Sequence, residues 1–147
     1  MPATLVVIDM QEAFPAACDP NVIIGVTQEI VTTRTKGGAI ILVEYQNCGP
    51  SHSGFYKLLK NYRHKSRIHK RDDDGSLEIL RAIHRRGFND KWLRVCGVNS
   101  DCCVAATIRG LLDRSPESHV DVVKSACGTF RNTDWRTYIR HANLKLV

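Results

Sequence analysis

Three residues stand where chemistry could gather. Asp9 closes the apolar run TLVVI, Lys70 lies two positions after Ile68 in a basic stretch, and Cys103 is the second of two adjacent cysteines after Asp101. Taken singly, each has an ordinary structural explanation. A carboxylate after an apolar run caps a helix or anchors a loop, a lysine among basic residues is solvated, and a cysteine opening a helix is packing. Together they hold the parts of a covalent mechanism. A thiol in the first turn of a helix sees the positive end of the macrodipole and free backbone N–H groups, so a thiolate is expected, the more so beside an ammonium such as that of Lys70. Asp9 is then placed to take the thiol proton, and N–H groups at the helix start to hold an oxyanion. These parts suffice for acyl transfer through a thioester-like or tetrahedral covalent intermediate.

The elements that must position them can be read from the hydrophobic pattern. Thr4–Ile8, Ala39–Val43 and Trp92–Val98 are short apolar runs of the buried-strand type, with Ser66–His69, His119–Val123 and Leu144–Val147 as weaker strands. Helical spacing marks Val22–Thr35, which stops at Gly37-Gly38, and Ser76–Arg86, which points Leu77, Ile79, Leu80 and Ile83 inward and is followed by Gly87. Phe55–Tyr62, Cys103–Leu112 and Asp134–His141 are the other expected helices; Ala105, Ala106 and Gly110 permit close approach to a sheet. Strand and helix alternate, which predicts an α/β fold of three α/β/α layers around a doubly wound, mainly parallel sheet of five to six strands. Ligands in such folds sit outside the carboxyl ends of the strands, near the point where strand order reverses. Asp9, Lys70 and the Cys102-Cys103 pair all follow strand ends. Lys65 rivals Lys70, and Cys102 rivals Cys103; adjacent helical residues point about 100° apart, so only one sulfur faces the strand ends.

Composition narrows the class. The 147 residues are 43% hydrophobic and 24% charged, enough for one domain over residues 1–147 with a core that needs no staples. No apolar run approaches the roughly 20 residues of a membrane span, and Asp9 interrupts the start too early for a signal peptide, so a cytoplasmic protein is expected. The six cysteines are scattered without paired knuckles and read as reduced thiols. The net charge of +6 concentrates in Lys57 to Lys70 and Arg81 to Arg86. A basic surface can attract nucleic acid or an anionic substrate. No aromatic-interleaved basic motif accompanies this one, so it reads as a solvated helix face, with no nucleic acid or membrane partner.

The segment GVNSDCCVAATIRGLL (Gly97–Leu112) resembles the nucleophile motif of isochorismatase-like cysteine hydrolases, in which a strand ends in Gly-x-x-(Thr/Ser)-Asp-x-Cys-Val and leads into a helix carrying Thr; Gly97, Ser100, Asp101, Cys103, Val104 and Thr107 match. LVVIDMQEAF (Leu5–Phe14) is similar to the family's first motif, RIHKRDDDGSLEIL (Arg67–Leu80) to the region carrying its Lys, and VVKSACGTF (Val122–Phe130) to its fifth strand and loop. The similarity runs in order along nearly the whole chain. It implies Cys103 as nucleophile, selected over Cys102 by the Cys-Val-x-x-Thr spacing, Asp9 as base and Lys70 as the steadying cation. It also implies a cis peptide joining Val98 and Asn99, with the N–H groups of Asn99 and Cys103 as an oxyanion hole.

Related nicotinamidases hold a metal through Asp-x-His after strand two. Here the segment is Val43-Glu44-Tyr45-Gln46, with Gln46 where His is wanted and His52 and His64 on nearby polar loops, so no metal and no cofactor are expected. Phe14, Tyr45, Gln46 and Phe130 follow strand ends as candidate pocket walls. The implied activity is hydrolysis of a small amide or related carbonyl substrate, by a protein that self-associates. Vinyl ether hydrolysis of the isochorismatase type, and a non-catalytic binding or regulatory role on the same scaffold, stand as alternatives.

Overall fold

A computed structural model describes residues 1–147. All five side chains of Thr4–Ile8 (β1) are buried, as a strand covered on both faces requires. Leu5 and Val7 point into one apolar layer and Val6 and Ile8 into the other, following the two-residue period of a strand. The remaining strands are Ile40–Tyr45 (β2), Lys65–Lys70 (β3), Trp92–Val98 (β4), His119–Gly128 (β5) and Leu144–Leu146 (β6). Every pairing is parallel, in the order β3-β2-β1-β4-β5-β6. The chain therefore winds outward from β1 to one edge and then restarts at β4 on β1's other side.

Parallel neighbours need crossovers, and helices supply them. Pro20–Thr35 (α1) starts where the Asp19 carboxylate accepts the Asn21 N–H, with Pro20 at a position whose missing donor costs nothing. Val22, Val26 and Ile30 of α1, and Phe55 of the short Ser53–Leu58 helix (α2), cover the Leu5–Val7 face. Ser76–Arg86 (α3), closed by left-handed Gly87, and Cys103–Arg114 (α4) cover the Val6–Ile8 face with Ile79, Ile83, Val104, Ile108 and Leu111. The result is the three-layer, doubly wound α/β architecture read from the sequence, with six strands. No helix is long and apolar enough to cross a membrane.

Three elements differ from expectation by more than two residues. β5 continues through Gly128, because strand pairing persists past the polar Lys124 and Ser125 and resumes with β4 beyond an irregularity between Val95 and Gly97. The helix expected in Phe55–Tyr62 lies earlier, at Ser53–Leu58. The helix expected over Asp134–His141 is only a 3-10 turn, Trp135–Thr137. Trp135, Tyr138 and Ile139 do face the core as helical spacing suggests. Tyr138, however, is held in extended backbone while its hydroxyl donates to the Ser100 carbonyl 2.6 Å away, a tertiary bond that overrides the local pattern.

The sheet's reversal point tolerates no side chain at one position. Gly97 has φ +119°, and a Cβ there would lie 2.1 Å from the Ile8 carbonyl oxygen and 2.7 Å from the Ile8 nitrogen. Strain at that φ and the clash with backbone each cost on the order of 1–3 kcal/mol. Gly97→Ala is expected to lower stability by about 3 kcal/mol or more; an unchanged urea midpoint would show that β1 and β4 do not meet this closely.

Candidate active site

Asp9 follows β1 directly, next to the reversal point, with its backbone N–H bonded to the Val43 carbonyl at 2.9 Å. Its φ is +54°, a left-handed conformation that is uncommon outside glycine, although aspartate is enriched among the exceptions. Such strain persists only where the surroundings hold it and marks a position to inspect for chemistry. Lys70 is the last residue of β3, two strands away, and its long side chain closes that gap. Its Nζ lies 3.1 Å from Asp9 Oδ2, and both side chains are shut off from water.

The ammonium is satisfied on several sides. It donates to the carbonyls of Asp72 and Asp73 at 3.1 and 3.0 Å and sits 4.4 Å from the centre of the Tyr45 ring. The loop that presents those carbonyls is itself held. Thr107 of α4 donates through its hydroxyl to the Asp73 carbonyl at 3.2 Å and accepts the Gly75 N–H at 3.1 Å. Gly75 leaves room for the lysine stem, since a Cβ there would come within 2.9 Å of Lys70 Cδ.

Cys103 is the first residue of α4 and only 7% exposed. Its Sγ is 3.6 Å from Asp73 Oδ1, and the thiol lies near enough to the Asp9 carboxyl for each to shift the other's protonation. The Asp9 carboxylate oxygens have no hydrogen-bond donor beyond their ion pair with Lys70. Burial raises the Asp9 carboxyl above its ordinary range, against the lowering effects of Lys70 and of the thiol. Burial also drives the Cys103 thiol far up, reinforced by Asp9 and Asp73 and only partly opposed by Lys70. This corrects the thiolate expected from the helix start: desolvation and two carboxylates outweigh one helix terminus and one ammonium.

The two rivals separate. Lys65 lies at the opposite end of β3 and donates to the Leu59 carbonyl at 2.7 Å. Cys102 is exposed at the helix cap, with Sγ 3.7 Å from Asp73 Oδ2. The Val98–Asn99 peptide is cis. Around it, Ser100, Cys102 and Val104 donate their backbone N–H groups to backbone carbonyls, whereas those of Asn99 and Cys103 have no protein acceptor.

Among the expected pocket walls, Phe14 and Tyr45 stand together, ring centres 6.3 Å apart, with Tyr45 against Lys70 and its hydroxyl 3.3 Å from Asp73 Oδ1. The Tyr45 hydroxyl is raised to about 12, by burial first and then by Asp73. Gln46 is exposed, and Phe130 is exposed beside Arg131. Two residues went unremarked in the sequence. Gln11, fully buried, ties the loop after β1 to Tyr45 through bonds in both directions (2.7 and 3.0 Å) and to the Gly49 carbonyl at 2.7 Å. Asp73 faces both sulfurs. Its only sequence signal was membership of the Asp72-Asp73-Asp74 run, which reads as a solvated loop.

Metal-binding side chains converge in one place, where ligand atoms of Asp73, Cys102 and Cys103 lie within 4.8 Å of one another. Near Gln46 the carboxylate of Glu44 is buried and committed to Arg67, Ser51 and Tyr56, while His52 contacts the Ala17 carbonyl. Most basic residues of the middle segment are exposed to solvent. Lys57, Lys60, Lys65, Arg67 and Arg86 line a groove of about 810 Å³ that shares no residue with Asp9, Lys70 or Cys103.

Residues 3–147 match the family described as "Isochorismatase domain". Among solved structures, an isochorismatase from Pseudomonas putida KT2440 superposes with a TM-score of 0.77 at 17% identity, covering 99% of this chain and 87% of that one. N-carbamoylsarcosine amidase from Thermoplasma acidophilum gives 0.76 at 17%, covering 99% and 95%. A nicotinamidase from Staphylococcus aureus gives 0.70 at 18%, covering 88% and 86%. At these identities the likeness establishes the fold. No curated protein matches the chain in sequence.

Two outcomes follow from the electrostatics. In Lys70→Met, Asp9 loses its counter-charge inside the protein, a change that costs about 3–5 kcal/mol. A carboxyl whose folded pKa is raised contributes stability at low pH that is lost as pH climbs through the folded value. Removing Lys70 raises that value further, so the deficit relative to wild type in urea unfolding is expected to widen as pH climbs above the ordinary carboxylate range; a deficit independent of pH would contradict the pairing. With its thiol protonated, Cys103 is expected to react with iodoacetamide at neutral pH more slowly than exposed Cys18, as mapped by mass spectrometry.

Proposed function

The chain belongs to the isochorismatase family of hydrolases, and from that premise we propose that residues 1–147 form one cysteine hydrolase domain acting on a small amide or related carbonyl compound. Cys103 is the nucleophile, Asp9 the proton carrier and Lys70 the fixed counter-charge. One observation carries the reading: a buried carboxylate, paired with a buried ammonium 3.1 Å away, neighbours the thiol of Cys103 beside two unengaged backbone N–H groups.

The raised thiol dictates how the reaction starts. Sulfur attacks the carbonyl carbon as its proton passes to Asp9, so no free thiolate has to be stored. A carboxylate lifted above its ordinary range is a better proton acceptor for that step than a solvated one. The carbonyl oxygen gains the negative charge and accepts the N–H groups of Asn99 and Cys103. When the intermediate collapses, the carbon–nitrogen bond breaks and the Asp9 proton goes to the departing amine, leaving a thioester on Cys103. Water then attacks the thioester, giving a proton back to Asp9, and the released sulfur recovers it. Lys70 remains charged throughout and keeps Asp9 from retaining the proton.

The amide class is favoured on two grounds. The structural relatives include a carbamoylsarcosine amidase and a nicotinamidase. Asp73 beside the sulfur also adds negative charge at the mouth, which disfavours anionic substrates despite the chain's overall positive charge.

The test is a panel of small amides, ureido acids and isochorismate with wild type, Cys103→Ala and Asp9→Asn. Amide hydrolysis is expected in the wild type, and kcat/KM is expected to fall roughly 10³-fold or more in each variant. Turnover of isochorismate that survives Cys103→Ala would transfer the assignment to vinyl ether cleavage. Amide turnover that survives it would remove Cys103 from the mechanism.

A further inference from the structure

We propose that Asp73, Cys102 and Cys103 form a binding site for a single thiophilic divalent cation of the zinc class, and that an ion bound there shuts the hydrolytic centre by claiming the Cys103 sulfur. The inhibitory half rests on Cys103 being the nucleophile; the binding half does not.

The ligand atoms come from two elements, the loop after β3 and the start of α4, and they already sit at coordination spacing. Cys102 Sγ is 3.7 Å from Asp73 Oδ2, and Cys103 Sγ is 3.6 Å from Asp73 Oδ1. A tetrahedral ion with metal–sulfur bonds of about 2.3 Å and a metal–oxygen bond of about 2.0 Å needs its sulfur and oxygen ligands about 3.5 Å apart. Those separations run to different oxygens of one carboxylate, and the three ligand atoms lie within 4.8 Å of one another, so side-chain rotation alone brings one oxygen and both sulfurs onto an ion.

The set also selects the ion. Two sulfurs and one carboxylate suit zinc or cadmium, whereas magnesium and calcium prefer oxygen throughout. Three protein ligands leave a fourth position for water, on the side where Cys102 and Asp73 are exposed. An ion can therefore arrive from solvent and settle against the buried sulfur of Cys103.

Binding forms two metal–sulfur bonds and one metal–oxygen bond. Each thiol gives its proton to solvent, and nothing is oxidised or reduced. The resulting pair of thiolates and carboxylate outweigh the ion's double charge by one, which suits a site beside the Lys70 ammonium. Pinning of the Asp73 carbonyl by Thr107 and Lys70 reduces the ordering left to be done when the ion binds. Cys102 has no part in the proposed hydrolysis, and its side chain does not cap the helix it begins.

The test is titration of the full chain with Cd²⁺, followed by the ultraviolet thiolate-to-cadmium absorption, with Zn²⁺ as competitor. One ion per chain is expected. Cys102→Ser is expected to lose about half of the absorption and to bind about tenfold or more weakly; Asp73→Asn is expected to weaken binding similarly while keeping the two-thiolate band. Absence of a saturable band, or a band that both variants leave unaltered, would overturn the site. With a substrate that turns over, Zn²⁺ is expected to inhibit wild type, chelator to restore it, and Cys102→Ser to hydrolyse normally but resist inhibition. Equal inhibition of Cys102→Ser would overturn the regulatory role. The cadmium titration needs no substrate, so failure of the hydrolase reading leaves the metal result readable by itself.

Discussion

A lysine ammonium and an aspartate carboxylate, both closed off from water, meet 3.1 Å apart just beyond the ends of β1 and β3. Pairs of this kind contribute little to stability, because stripping water from two ions costs as much as their attraction returns. The ammonium's remaining donors therefore need partners, since an unanswered buried charge is costly. That requirement explains the surrounding architecture. Two carbonyls of the 72–73 segment and the face of Tyr45 answer the ammonium, Thr107 holds that segment, and Gly75 yields the space for the lysine stem. Gln11, reaching across to Tyr45, locks the loop after β1 to the end of β2. Much of the irregular backbone at this lip of the sheet exists to keep one cation in place.

Against that fixed pair, Cys103 is the variable partner. Its surroundings favour the neutral thiol, and burial raises the Asp9 carboxyl as well, so both groups are displaced from their behaviour in water. In the proposed mechanism this is the useful state. The proton is delivered to Asp9 only when sulfur has an electrophile to attack, and the same carboxyl returns it to the leaving group. Asp73 sharpens the balance by adding a second carboxylate at the entrance. Asp73, which adds to the burial and the Asp9 charge that keep the thiol protonated, would also complete a cation site, with opposite consequences for the sulfur.

The sheet sets the distances involved. Because β1 and β4 are neighbours at the reversal of strand order, Asp9 and Cys103 start close together, and Gly97 lets the two backbones approach more tightly than any side chain would allow. Lys70 begins two strands away, and only a long side chain can span that distance. Residue type at each position thus follows from its place in the sheet.

What the chain determines by itself is its alternation of apolar runs and amphipathic stretches. Those patterns are local reports of burial, which is why the layers, the strand order of types and the exact span of β4 were legible, and why Asp9, Lys70 and Cys103 could be picked out by their places after strands. The similarity of Gly97–Leu112 to a known nucleophile motif added the choice of Cys103 over Cys102. The sequence preferred Lys70 and kept Lys65 as a rival; tertiary structure separates them, since they occupy opposite ends of one strand and only one end faces Asp9. It also turned the 134–141 segment from a helix into a 3-10 turn, through a hydroxyl bond to Ser100. It buried the Cys103 sulfur beside Asp9, with Asp73 adding to the effect, and so reversed the expected state of the thiol. Periodicity records which way a side chain points along its own element; protonation depends on the charges that distant elements bring to one volume of low polarity, and no local pattern carries that sum.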